Sequence, residues 1–124
     1  MKRSLQLNPA NQLASWEHIK TKRNELEVSP ITVGTEDYDA DRDSILRMDQ
    51  ALSAFDVLPT LNAEGKLGWK TFDNQVVLLT KAQLTQVREE IAKRAALLHY
   101  NASVLHAAGT YLVKELDNTT LWGL

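Results

Sequence analysis

Cysteine is absent from the 124 residues, which excludes a disulfide framework and any thiolate metal site. No apolar run reaches the ~18–20 residues that a bilayer-spanning helix needs. Neither sign of charge dominates: the net charge is -2 and the isoelectric point is near 5.9. That balance argues against bulk attraction to nucleic acid and leaves no basic face for a membrane. Met1-Lys2-Arg3 is basic, but no apolar segment follows it, so the start does not read as a signal peptide and synthesis in a cytoplasm is expected. The length fits a single domain with a modest core.

Catalytic spacings are missing too. No Ser or Thr occupies a nucleophile-elbow context, and no glycine-rich phosphate loop occurs. Asp37, Asp39, Asp41 and Asp43 alternate like the start of a calcium loop. Such a loop needs a glycine at its sixth position and a carboxylate at its twelfth. Counted from Asp37 those places hold Arg42 and Met48; counted from Asp39 they hold Ser44 and Gln50. Helix capping and solvation suit the same carboxylates, with divalent-ion binding as the open alternative. His99 and His106 share one side of a helix but lie ~10.5 Å apart along its axis, too far to hold one metal directly. The expectation is a protein that is not an enzyme, with no catalytic, cofactor or metal residues and no small-molecule substrate. Asn101-Ala102-Ser103 and Asn118-Thr119-Thr120 match a glycosylation sequon and read as chance matches in a chain without a secretion signal.

What the chain does have is a helical stretch over residues 80–116. Thr80 and Gln83 form a capping box, and no proline follows. One seam is Leu84, Ile91, Leu98, Leu105 and Leu112, each seven residues from the last, with Arg88, Ala95, Ala102, Gly109 and Leu116 beside it. Large residues next to small ones allow close helix approach. A second seam, Leu97, Tyr100, Val104, Ala107 and Tyr111, faces elsewhere. A helix apolar on both sides is buried on both sides. The second side is expected to meet another subunit, the other reading being that the remaining elements wrap around it.

Before that helix, Leu5 and Leu7 alternate with polar neighbours in an arm over residues 1–12, either a frayed end or a strand added to something else. Ser15 caps a helix over 16–28 with Trp16, Ile19, Arg23 and Leu26 inside. Short strands at 31–33 and 37–39 flank Gly34. Asp41 caps a helix over 42–55 with Ile45, Met48, Ala51, Leu52 and Phe55 as its stripe. Strands over 66–72 and 75–79 are joined by Asp73-Asn74, read as a two-residue loop. After Leu116 the tail 117–124 carries Leu121, Trp122 and Leu124, which either fold onto the domain or dock in a partner's groove. The fold class is α+β: one domain over 13–116, short hairpins and one long C-terminal helix, with no internal boundary.

Three motifs in order carry a family resemblance. They are the tryptophan-led helix with Ile19 and Lys22-Arg23, then the run from Tyr38 through Asp41 to Ser44 opening a helix with Ile45 and Ala51. Last is Gly68-Trp69-Lys70-Thr71-Phe72-Asp73-Asn74-Gln75, continuing through Val76-Val77-Leu78-Leu79-Thr80 into the long helix. This pattern resembles a domain of unknown function found in tailed-bacteriophage tail proteins, often at the end of tail-fibre or tail-fibre-assembly proteins. The likeness spans about residues 16–112, is best over 69–84, and departs at 29–36, where a longer, more glycine-rich hairpin is expected. It implies a virion protein made in a bacterial host cytoplasm: a structural tail or baseplate component that anchors a fibre or spike. A fibre-assembly chaperone absent from the mature particle is the alternative. Partners would be other tail or fibre proteins and further copies of the chain, a trimer by analogy with fibres. Contact would run through Leu98, Ala102, Leu105, Gly109 and Leu112, with Leu97, Val104 and Tyr111 on the other side and the apolar ends gripping neighbours.

Overall fold

Thr80 and Gln83 exchange the two bonds expected of them. The Gln83 amide donates to Thr80 Oγ1 at 3.1 Å, and the Thr80 amide donates to Gln83 Oε1 at 2.8 Å. Helix α3 (Lys81–Ala108) starts there. This computed structural model describes residues 8–58, 61–62 and 64–124; Leu5 and Leu7 lie outside the described residues. The helix stops eight residues short of the expected end at 116, because Gly109 takes a left-handed φ of 66° and its amide bonds the Leu105 carbonyl at 3.3 Å. That conformation suits glycine and terminates a helix. Gly109 is therefore a helix stop and not a small residue in a packing seam.

Where the sequence suggests one domain, the chain forms two compact units. One is contiguous, Glu27–Lys93; the other is split, combining residues up to Leu26 with Arg94–Leu124. Helix α3 contributes to both. Its heptad seam feeds two separate cores: Leu84 and Ile91 enter one, Leu98 and Leu105 the other.

In the contiguous unit, β1 (Ile31–Val33) pairs antiparallel with β2 (Glu36–Tyr38). Gly34 turns the chain between them with φ 66°. Helix α2 (Arg42–Ala54) follows, with Asp41 at its N-cap, and a short 3-10 turn continues it through Phe55. Asp41 makes no bond to the helix amides; its carboxylate takes the Ser44 hydroxyl instead. Strands β3 (Leu67–Lys70) and β4 (Val76–Leu79) form a second antiparallel hairpin. Its loop differs from the expected two-residue turn. The Thr71 amide donates to the Gln75 carbonyl at 2.8 Å, leaving Phe72, Asp73 and Asn74 as the loop. A type I′ two-residue turn needs two left-handed residues, and of Asp73 and Asn74 only Asn74 has that conformation, at φ 64°. The core gathers Ile31, Tyr38, Ala40, Met48, Leu79, Leu84, Val87 and Ile91. Each large side chain fully buried there stabilises the unit by about 1.5–3 kcal/mol.

In the split unit, Ser15 caps helix α1 (Trp16–Glu27) as expected, with His18 closing the motif. The His18 amide donates to Ser15 Oγ at 3.2 Å, and the Ser15 amide donates to His18 Nδ1 at 3.0 Å. Ile19 is buried among Leu98, Ala102, Leu105, Leu116 and Trp122. Residues 12–14 run beside 111–113: the Ala14 amide reaches the Tyr111 carbonyl and the Val113 amide the Gln12 carbonyl, both at 2.8 Å. The tail folds in. Trp122 is fully buried and its indole N–H donates to the Leu116 carbonyl at 2.9 Å. A buried tryptophan needs such an acceptor, and this one is supplied six residues upstream.

Candidate interaction surface

Two carboxylates of the Asp37–Asp43 stretch, those of Asp37 and Asp41, are engaged locally. Asp37 accepts the Thr32 hydroxyl at 2.5 Å, and Asp41 accepts that of Ser44. The Ser44 hydroxyl holds the Asp41 carboxyl below its usual range, against an opposing effect of burial. His106 lies against Trp16, with ring centroids 4.8 Å apart, and His18 is committed to its cap. Among the described residues no three His, Asp or Glu side chains converge on a metal position. Two open clefts draw their lining from several elements, beside a larger hollow of about 480 Å³ along α3 lined by Lys81, Ala82, Thr85, Gln86 and Glu89. One of about 370 Å³ in the contiguous unit is lined by Asp39, Ser44, Arg47, Trp69, Lys70 and Asn74. One of about 310 Å³ in the split unit includes His18, Lys22, Glu25, Leu116 and Asp117. In the second, Lys22 Nζ is already held by Asp117 at 2.9 Å and Glu25 at 3.2 Å. The Asp117 contact is the main reason the Lys22 amine titrates above its ordinary value.

Apolar surface is the more informative feature. The proposed seam residues Leu98, Ala102 and Leu105 are buried in the chain's own core. They are a correction to the sequence reading: α1 and the C-terminal turns cover them, so they offer no surface to another subunit. Trp122 is corrected for the same reason, and Leu121 and Tyr111 pack half-buried beside it. Leu112 is half-buried in its bridge to Leu13. The other side of α3 stays open. Leu97 is 36% exposed, Tyr100 68% and Val104 45%. Spacings of three and four residues put them on one helix face. The chain end borders this stripe: a Cβ added at Gly123 would sit 3.9 Å from Leu97 Cδ2, and Leu124 beyond it is exposed.

A second apolar surface escaped the sequence reading. On the β3–β4 hairpin, Trp69, Val77 and Leu79 turn inward while Val76 and Leu78 point out, 63% and 53% exposed. Four apolar residues in a row at 76–79 hide which two face solvent; the register with β3 decides it, placing Val76 opposite Lys70 and Leu78 opposite Gly68. Among the described residues no helix is long and apolar enough to cross a membrane.

The chain belongs to the family described as Domain of unknown function (DUF4376), whose family model matches residues 10–119. That span draws on both units. No curated protein and no solved structure matches the chain.

Proposed function

We propose that the protein is a non-enzymatic structural component of a bacteriophage tail or baseplate, which anchors a fibre or spike through packing between subunits. The observation that carries this reading is the open apolar face of α3, Leu97, Tyr100 and Val104. A tyrosine buried at the centre of an interface is a favoured anchor, and monomers rarely leave apolar side chains clustered in water. The likeness of the three sequence motifs to phage tail proteins supplies the setting. The seam inferred from the heptad is replaced by this second side.

Light scattering on the purified chain and on the Tyr100→Asp, Val104→Asp double variant tests the packing. The oligomer mass falls in the variant while circular dichroism is unchanged; equal masses overturn the α3 face as the contact. Mass spectrometry of purified phage particles tests the setting. Stoichiometric presence supports a structural part, and absence assigns the transient assembly role instead.

A further inference from the structure

We propose that strand β4 pairs edge to edge with β4 of a second copy, joining two β3–β4 hairpins into one continuous antiparallel sheet. Hydrogen-bond parity sets the direction of the β4 main-chain groups. Thr71 and Gln75 are a hydrogen-bonded pair across the hairpin, and opposed residues alternate between bonded and non-bonded pairs. Trp69–Val77 and Leu67–Leu79 are then bonded pairs, while Lys70–Val76 and Gly68–Leu78 are not. The amides and carbonyls of Val76 and Leu78 therefore point away from β3. Among the described residues β4 has β3 as its sole strand neighbour, and no main-chain partner reaches Val76 or Leu78 on that side. The opposite edge is treated differently. At β3 the chain runs on to Phe72, whose amide donates to the Asp37 carbonyl of β2 at 2.8 Å, so that edge is closed at one end.

Natural edges are usually guarded by lysine, proline or a bulge. The run from Gln75 to Leu79 has none of these guards. It is instead complementary to itself. In the antiparallel register that sets Val77 beside the partner's Val77, the outward groups of Val76 exchange with those of the partner's Leu78, and those of Leu78 with the partner's Val76. On the outer face the same register lays Val76 against the partner's Leu78, so the two exposed apolar side chains of β4 cover their counterparts. Gly68 leaves room beneath them: a Cβ there would sit 3.2 Å from Val76 Cγ1. Backbone and apolar groups thus match in one register, which points to a second copy as the occupant. The contact uses the contiguous unit alone and does not depend on the tail assignment or on the α3 face.

The test is the wild-type chain followed by hydrogen exchange across a hundredfold range of concentration, together with light scattering. Protection of the Val76 and Leu78 amides rises with concentration, and in the Tyr100→Asp, Val104→Asp background, which removes the α3 contact, the mass approaches that of a dimer. Unprotected amides at every concentration overturn the pairing. The Val76→Lys, Leu78→Lys double variant loses both the protection and the dimer mass, whereas Tyr100→Asp with Val104→Asp leaves the β4 protection in place. Should the lysine variant fail to fold, the wild-type exchange series decides alone. Protection that depends on the α3 face rather than on β4 also overturns it.

Discussion

The two units close their cores in opposite ways. The contiguous unit uses neighbours in sequence: two hairpins and α2 fold within 27–93 and wrap the first half of α3. The split unit uses segments far apart, with α1 from one end and Leu116 and Trp122 from the other closing on the second half of α3. One heptad repeat serves both, so a periodic seam reports that a face is buried without saying in which core. Lys93 and Arg94 lie between Ile91, the last seam residue of the contiguous unit, and Leu98, the first of the split unit.

The strongest way to break this comparison is Trp122→Ala. Removing a fully buried indole costs about 3–5 kcal/mol. Hydrogen exchange read by mass spectrometry should show loss of protection around Leu98 and Leu105, with protection around Met48 retained. Equal loss in both would make the two cores one cooperative unit. Next come matched truncations on the same helix. Leu84→Ala and Leu98→Ala remove side chains that are both fully buried, each costing about 2–5 kcal/mol. The first should loosen the contiguous unit and the second the split unit, by the same exchange assay.

Gly109→Ala sharpens the comparison at the end of α3. No side chain lies within 4 Å of an added Cβ there, the nearest atom being the His106 carbonyl oxygen at 4.0 Å. The cost is then backbone strain of about 1 kcal/mol at φ 66°, seen as a lower urea midpoint with unchanged oligomer mass. Overpacking of an interface, the outcome the seam reading implies for Gly109→Leu, is not expected.

The smallest effects separate the units by pH. In the split unit, the Lys22 amine is raised above 10.5, chiefly by the Asp117 hydrogen bond. Its contribution is complete below that value and disappears as pH rises through the folded pKa. In the contiguous unit, the Asp41 carboxyl is lowered below 3.8 by the Ser44 hydroxyl. Its contribution is present above that value and disappears as pH falls through the folded pKa. Lys22→Met should flatten the alkaline limb of a denaturation profile and Asp41→Asn the acid limb. Tyr38, raised by burial and then by Glu36, adds an alkaline loss to the contiguous unit that Lys22→Met leaves untouched.

Local chemistry was the legible part of the sequence. Both caps, at Ser15 and Thr80, and the starts of the three helices follow from side chains within four residues of each other. The α+β class and the hairpin positions follow from the same short-range signals. What could not be read is set by distant partners. Leu98 and Leu97 are adjacent and equally apolar, yet only contact with α1 and the C-terminal turns makes one core and the other surface. Gly109 carries two meanings in sequence, a helix stop and a close-packing site, and its backbone angle chooses between them. Val76 and Leu78 sit in an unbroken apolar run, so pairing with β3 had to be seen before their direction was known.

The place of Trp122 in the split unit also orders events on the ribosome. Domains tend to acquire structure as units while synthesis proceeds from the amino end. Every residue of the contiguous unit has been polymerised once Lys93 is added, and its core is complete in sequence from then on. The pocket that receives the indole waits for 29 more residues, during which Ile19, Leu98 and Leu105 lack their cover. A nascent chain stalled before Trp122 emerges is thus the form most prone to capture by chaperones.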